Sequence, residues 1–356
     1  MEAPRKVVVG MSGGVDSSVA AALLVEQGYR VTGMMLRLWS EPGKDGQNRC
    51  CSPDAMAQAR RVAASLGIPF YAVDVQELFH NEVVQHFIDG YLEGITPNPC
   101  LICNRQIRWG YLLKYAQAFG ADFLATGHYA RVRHMVEDMV ELYRAVDLHK
   151  DQSYVLSRLN QEQLKHSLFP LGELTKPQVR QIARNFGLSV AERPESQDLC
   201  FISDGNYRRF LNEYAPESQK IGQIITSEGK ILGEHQGLAF YTIGQRKGLG
   251  ISSPEPFYVI EKRFEEQTLV VGPVSELGKC ELIAQDVNWI SGMTPEKSFN
   301  AQVKIRYKAE LASGMVEPGP EEFRVVFEQP LRDITPGQAA VIYQGNQCLG
   351  SGIIKE

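Results

Sequence analysis

No stretch of about 18 consecutive apolar residues occurs anywhere in the 356-residue chain, which excludes a membrane-spanning helix by length alone. There is no internal repeat, low-complexity tract or heptad pattern, which leaves out solenoids and coiled coils. A basic excess is also missing. The net charge of −5 argues against indiscriminate polyanion binding, although it leaves room for a local basic face. Arg105/Arg108/Lys114, Arg131/Arg133, Arg180/Arg184, Arg208/Arg209, Arg246/Lys247 and Lys304/Arg306/Lys308 are the candidates, and each cluster taken alone reads as solvated surface. The segment Met1 to Lys6 enters the first strand pattern without a long apolar signal run, so a cytosolic protein is expected. In that compartment the seven cysteines do not make a static disulfide framework. A chain of this length has room for two or three cores.

What is present begins with Met11-Ser-Gly-Gly-Val-Asp-Ser-Ser18, placed after the apolar run Lys6-Val-Val-Val-Gly10 and before a helical run ending at Gln27. Two glycines let backbone approach an anion, and the following helix start offers unpaired N–H groups and the positive end of its dipole. A Walker-type loop needs a lysine two residues after its last spacer, and no lysine stands near this loop in the sequence. The pattern S-G-G-x-D-S instead marks enzymes that split ATP between its α and β phosphates, with pyrophosphate on the loop and AMP transferred. Asp16 either orients Mg²⁺ or caps the helix.

The first half alternates strand and helix patterns. Strands are expected at 6–10, 31–36, 70–74 and 122–125, with helices at 17–27, 53–66, 76–91 and 104–119. Such alternation implies a mainly parallel sheet, which binds ligands beyond the carboxyl ends of its strands. The Ser12 loop and Thr126-Gly-His-Tyr129 both lie at such ends and are expected to face one crevice. Helices return between 152 and 184, one opening at Thr175-Lys-Pro177. Residues 212–220 read as a linker, after which short β segments dominate, including 223–226, 230–232, 238–241, 258–262 and 268–271. Further strands at 302–307, 322–327, 339–343 and 348–354 suggest a small closed barrel.

Five cysteines are informatively placed: Cys50-Cys51, Cys100, Cys103 and Cys200. The two prolines of Pro97-Asn-Pro-Cys-Leu-Ile-Cys-Asn104 force an extended approach that delivers Cys103 to the start of the 104–119 helix. A helix N-terminus lowers a thiol pKa from about 8.5, which makes Cys103 a candidate nucleophile. Cys200, taken alone, reads as a buried hydrophobe. Cys280 and Cys348 read as small core or edge residues of strands.

Taken together, S-G-G-V-D-S, N-P-C-x-x-C-N, A-T-G-H-Y, K-D-Q-S-Y, S-Q-D-L-C-F and T-I-G-Q-R-K-G resemble, in order and context, the bacterial tRNA-specific 2-thiouridylases. The resemblance runs from the first strand to Gly350. It implies an α/β N-terminal domain of the PP-loop, adenine nucleotide alpha hydrolase-like kind over 1–211, a small β-rich tRNA-binding domain over 212–280, and a C-terminal β-barrel over 281–356. It implies ATP contacts at Val9, Gly10, Met11, Ser12, Gly13, Gly14, Val15, Asp16, Leu36 and Gly127, and catalytic thiols at Cys103 and Cys200. Asn98, Pro99 and Cys100 match the segment that meets the target base. His128, Lys150, Asp151, Gln152, Arg306, Tyr307 and Gln338 match further tRNA contacts. The implied reaction is thiolation at C2 of the wobble uridine of tRNAs for lysine, glutamate and glutamine. ATP adenylates the C2 oxygen, a persulfide on Cys200 delivers sulfur, and Cys103 closes a transient disulfide with Cys200. A cysteine desulfurase or relay protein would supply the sulfur.

Some members carry Asp where this chain has Cys100, and a thiol cannot replace that carboxylate closely in proton transfer. The exchange also makes Cys100, Cys103 and Cys200 a possible ligand set for an iron–sulfur cluster with one open iron site, the alternative to the persulfide. Cys50-Cys51 would add a ligand or pass sulfur, or simply belong to a loop. A small-molecule ligase with the same ATP loop, and a nonenzymatic RNA-binding module, are the competing functions.

Overall fold

The computed structural model describes residues 3–43, 52–135, 138–194, 199–252 and 255–355. Cys50, Cys51 and the Ser-Gln-Asp part of the Cys200 motif lie outside them. In the first half, β1 (Lys6–Gly10), β2 (Arg30–Arg37), β3 (Phe70–Asp74) and β4 (Phe123–Thr126) are followed by the hairpin β5 (Ala130–His134) and β6 (Val140–Arg144), then by β7 (Ser167–Leu168). Strands β1 to β4 and β7 form a sheet in the order β3-β2-β1-β4-β7, parallel throughout. Val7, Val8 and Val9 are buried on both faces of β1, as an apolar β-branched run in a central parallel strand must be. Helices α1 (Val15–Glu26) and α2 (Pro53–Ser65) cover the sheet. Because β2 lies on one side of β1 and β4 on the other, the chain reverses direction across the sheet at β1/β4, where a crevice opens.

The helical region from Gln76 to Leu92 is continuous but carries a π-type turn at His80–Gln85. A second helix starts earlier than expected. Its first turn is Pro99–Ile102, it widens to π geometry over Cys103–Leu112, and it closes at Leu113–Ala118. Leu113 N–H bonding to Arg108 O, five residues back, is the mark of the wider turn.

The expected linker at 212–220 is mostly structured: helix Tyr207–Tyr214 runs through it and Pro216–Ser218 adds a 3₁₀ turn, with Leu211, Ala215 and Ser218 buried. The central sheet contains β8 (Gly222–Thr226), β9 (Ile231–His235), β10 (Tyr258–Arg263) and β11 (Thr268–Gly272) in the order β10-β11-β8-β9. The segment expected as a strand at 238–241 is instead a buried 3₁₀ turn, Leu238–Phe240, whose Phe240 carbonyl accepts from Tyr207 Oη at 2.9 Å.

The C-terminal strands are β12 (Lys279–Trp289), β13 (Phe299–Lys304), β14 (Ala312–Glu317), β15 (Glu322–Leu331), β16 (Ala339–Gln344) and β17 (Gln347–Ile354). They follow the order β12-β15-β14-β13-β16-β17, and β12–β17 pairing closes the barrel. Cys348 is buried in β17 and Cys280 is exposed on β12. The β5–β6 hairpin leaves the first sheet and extends this one, with Cys348 opposite Leu142. Asn288 Nδ2 donates to Ser157 O and Leu159 O at 2.8 and 3.0 Å, and Ser153 Oγ meets Tyr343 Oη at 3.0 Å. The barrel therefore docks on the first domain through buried polar contacts as well as strand pairing. No helix among the described residues is long and apolar enough to cross a membrane.

Candidate active site

The two loops expected to share a crevice do so. Gly10 at the end of β1 lies in register with Thr126 at the end of β4, so the loop Met11–Gly14 and Gly127-His128 leave the sheet side by side. Gly13 takes φ +74°, and a Cβ there would stand 2.3 Å from Ala55 O, so only glycine fits. A Cβ on Gly127 would stand 2.6 Å from Ser17 N and 2.7 Å from the Asp16 carbonyl carbon. The Gly127 backbone thus lies directly on the start of α1. Ser12 N–H donates to Ser17 Oγ at 3.1 Å, and Ser18 Oγ donates to Gly14 O at 2.8 Å. The first turn of α1 holds its own loop in shape. Val9 and Val15 are buried beside it, and Leu36 lies near the end of β2, opposite Val73.

Asp16 does not cap α1. Gly14 is the N-cap, and the Asp16 carboxylate is held by Lys176 Nζ at 2.7 and 2.8 Å and by Tyr129 Oη at 2.7 Å. Lys176 is itself 8% exposed, so its ammonium is fixed at the crevice rather than sweeping solvent. The loop therefore has a lysine after all, delivered from 160 positions downstream. Its only signal in the sequence is the helix start Thr175-Lys-Pro177, which says where a helix begins and not what it reaches. Both Asp16 oxygens are engaged, Oδ1 by Lys176 and Tyr129 and Oδ2 by Lys176. Among the described residues no group of three His, Cys, Asp or Glu side chains could hold a metal ion.

Cys103 is not at the helix terminus. The N-cap is Asn98, whose Oδ1 accepts from Cys100 N at 3.1 Å, and Cys103 N–H bonds back to Pro99 O and Cys100 O. The terminal position, with its dipole, thus belongs to the exposed Cys100, and Cys103 lies one turn deeper and buried. Cys200 is half-buried and packs against the same hydrophobic cluster that contains Cys103. Phe201 anchors it, with its ring 5.3 Å from Phe87, 5.5 Å from Phe210 and 6.0 Å from Phe79. Among the described residues, Cys100, Cys103 and Cys200 do not form a group that could hold a metal ion.

The third assembly brings together residues expected to meet the base, where the first domain meets the barrel. Tyr307 is pushed up to about 12 by burial, then by the charges of Asp151 and Cys100. Tyr307 lies in a turn just past β13, not within a strand as expected. Its ring is 6.1 Å from that of Tyr154, whose hydroxyl donates to Ala339 O at 3.0 Å and feels the Asn98 side chain. Gln338 Nε2 donates to Thr96 O at 2.7 Å, and Thr96 N–H donates to Pro336 O at 2.8 Å. The barrel rim thereby holds the approach to Asn98 and Pro99. Arg306 reaches Ile243 O at 3.1 Å and Thr335 Oγ1, tying the central domain to the same rim.

Two expected tRNA contacts are internal. Both ring nitrogens of buried His128 are engaged: Arg108 Nη1 donates to Nε2 at 3.0 Å, so Nδ1 carries the proton given to Thr126 Oγ1 at 2.7 Å. Burial, with Arg108 adding to it, holds this imidazole well below its ordinary pKa. Asp151 is buried and accepts from Ala145 N, Ser153 N and Ser153 Oγ. Gln152 Oε1 accepts from Tyr129 N at 3.0 Å, and Lys150 is half-exposed in the preceding turn. Gln152 is thereby linked to the crevice through Tyr129, whose hydroxyl reaches Asp16. Of the basic clusters read as solvated, Arg108 is tied to His128 and Arg209 to Glu41.

Residues 5–204 match a family described as the tRNA methyl transferase HUP domain. Residues 208–273 match the tRNA methyl transferase PRC-barrel domain, and 279–354 the aminomethyltransferase β-barrel domain. The chain is 48% identical to the tRNA-specific 2-thiouridylase MnmA of Carboxydothermus hydrogenoformans, covering 99% of this chain and 98% of that one. It is 46% identical to the tRNA-specific 2-thiouridylase MnmA of Magnetococcus marinus, covering 99% and 100%. It is also 46% identical to the tRNA-specific 2-thiouridylase MnmA 1 of Caldanaerobacter subterraneus, covering 100% and 99%. With full-length identity of this order and three consecutive domain matches, the chain belongs to the family of tRNA-specific 2-thiouridylases.

Proposed function

We propose that the protein is an ATP-dependent tRNA sulfurtransferase that replaces the C2 oxygen of the wobble uridine in tRNAs for lysine, glutamate and glutamine. The observation that carries this reading is the convergence of the Ser12 loop with Gly127 at the β1/β4 crevice, in a chain whose Cys103 and Cys200 share one core cluster. ATP enters with magnesium as part of the substrate. Backbone N–H groups of the loop and α1 receive the departing pyrophosphate, and Lys176 supplies fixed positive charge where negative charge develops.

The uridine C2 oxygen attacks the α-phosphorus and pyrophosphate leaves, turning a poor leaving group into AMP. The terminal sulfur of a Cys200 persulfide then attacks C2, the C–O bond breaks and AMP departs. Cys103 as thiolate attacks Cys200 Sγ, which breaks the S–S bond to the base, frees 2-thiouridine and forms a Cys103–Cys200 disulfide. A dithiol reductant restores both thiols, and a cysteine desulfurase or relay protein recharges Cys200 with sulfur. Such chemistry belongs in the reducing cytoplasm. Asn98, Pro99, Cys100 and Tyr307 hold the extruded base, and Arg306, Lys150, Gln152 and Gln338 support the surrounding RNA. His128 and Asp151 shape the crevice from within.

Pyrophosphate release measured with and without tRNA tests the reading. Release that depends on tRNA is expected. Release driven by a small carboxylate and an amine without tRNA would mark a ligase, and none under any condition would leave a binding module.

A further inference from the structure

Glu41 follows β2 by four residues, and its carboxylate is 1% exposed in the folded chain. It is not idle there. Its Oε2 accepts from Ser203 N–H at 2.8 Å and Ser203 Oγ at 2.6 Å, and Arg209 Nη2 donates to it at 2.9 Å while Nη1 engages Oε1. Burial pushes Glu41 up, but the hydrogen bonds from Arg209 and Ser203 outweigh it and hold the carboxyl at about 2. Arg209 is shared further: Nε and Nη2 reach Asp204 at 3.0 and 2.9 Å, and Nη1 reaches Glu213 at 2.8 Å.

The two sides of this contact lead to different parts of the site. Upstream of Glu41, Trp39 sits against Tyr214 at 5.7 Å and His80 at 5.1 Å, and Leu36 ends the nucleotide side of β2. On the other side Ser203 is three residues from Cys200, with Phe201 wedged among Phe79, Phe87 and Phe210. The Cys200 turn is therefore clamped twice, by an aromatic box on one flank and by a buried ion pair on the other. The ion pair is the flank that connects it to β2.

Resting on the sulfurtransferase reading, we infer that Glu41 and Arg209 are positioning residues that lock the Cys200 turn to the nucleotide-bearing end of β2, so that the thiol meets the activated base. A buried carboxylate retained at the cost of desolvation, where an apolar residue would also fill space, points to orientation rather than bulk. The bidentate fork of Arg209 fixes direction as well as charge.

Glu41→Gln and Arg209→Lys are the test variants, the second keeping charge while losing the fork. In single turnover with sulfur-charged enzyme, sulfur transfer should slow about tenfold while tRNA-dependent pyrophosphate release stays within about twofold. Equal loss of both activities, or loss of neither, overturns the inference. Independently of turnover, the iodoacetamide alkylation rate of Cys200, read by peptide mass spectrometry, should change at least about threefold with Cys103 unaltered. An unchanged Cys200 rate in both variants overturns it too. If the natural chain releases no pyrophosphate with tRNA, the sulfurtransferase reading fails, and the alkylation rates still decide whether the clamp sets the thiol.

Discussion

The β1/β4 crevice and the base site at the barrel rim are built by opposite means. The crevice is local: a strand end, a loop and a helix start within a dozen residues, closed by Gly127 and held by backbone geometry and two serine hydroxyls. The base site is assembled from segments around 96–100, 154, 307 and 336–339, joined by single long-range hydrogen bonds such as Gln338 to Thr96. The loop of the first is shaped by its neighbours in sequence, and Gly127, Tyr129 and Lys176 come to it from afar. The second depends on the docking of the barrel, so under the proposed function base recognition is weakened from the C-terminal domain without touching the crevice.

The largest break in that comparison comes from Gly127→Ala. Its Cβ has no room between Ser17 and Asp16, and displacing the loop by even an ångström should cut tRNA-dependent pyrophosphate release about 100-fold. Sulfur charging of Cys200 should be unaffected, and a variant with full release would refute the close approach. Gln338→Ala should act on the other side. Losing one hydrogen bond worth about 1 kcal/mol should raise KM for tRNA about fivefold, with KM for ATP unchanged. A parallel rise in both constants would mean that crevice and rim are not separable.

A separate effect, on stability, concerns His128, buried against Arg108 and Thr126. Its folded pKa is depressed below the ordinary 6.5, so the unfolded chain takes a proton that the folded one refuses. Stability present above about pH 6.5 is therefore lost as pH falls below it. Urea midpoints at pH 7.5 and 5.5 measure the slope, and His128→Gln should flatten it. An equally steep loss in the variant would place the titration elsewhere.

The same contrast governs what the sequence discloses. Apolar runs such as Val7-Val8-Val9, and glycines at turns, announce the parallel sheet and its loop because the forces involved act within a few residues. Lys176 was invisible as a loop residue because nothing in local pattern connects position 176 with position 16. The β5–β6 hairpin likewise gives no sign that it will join a barrel strand some 200 residues later. The Asn98 cap moved the helix start forward by several residues: its side chain satisfies Cys100 N–H, and Pro99 suits the first helical position. Read from Asn104 alone, the thiol at the dipole end was Cys103; in the fold it is Cys100. The ion pair that fixes the Cys200 turn was equally hidden, since Glu41 and Arg209 are 168 positions apart.

The central claim is that the nucleotide crevice and the Cys103 and Cys200 thiols act on one uridine. Mass spectrometry of nucleosides from tRNA incubated with the enzyme, ATP, a cysteine desulfurase with L-cysteine as the persulfide source, and a dithiol reductant tests it most directly. The account predicts a wobble uridine heavier by the exchange of oxygen for sulfur, absent with Cys200→Ser or Cys103→Ser. Unchanged nucleosides from folded, sulfur-charged enzyme would contradict it.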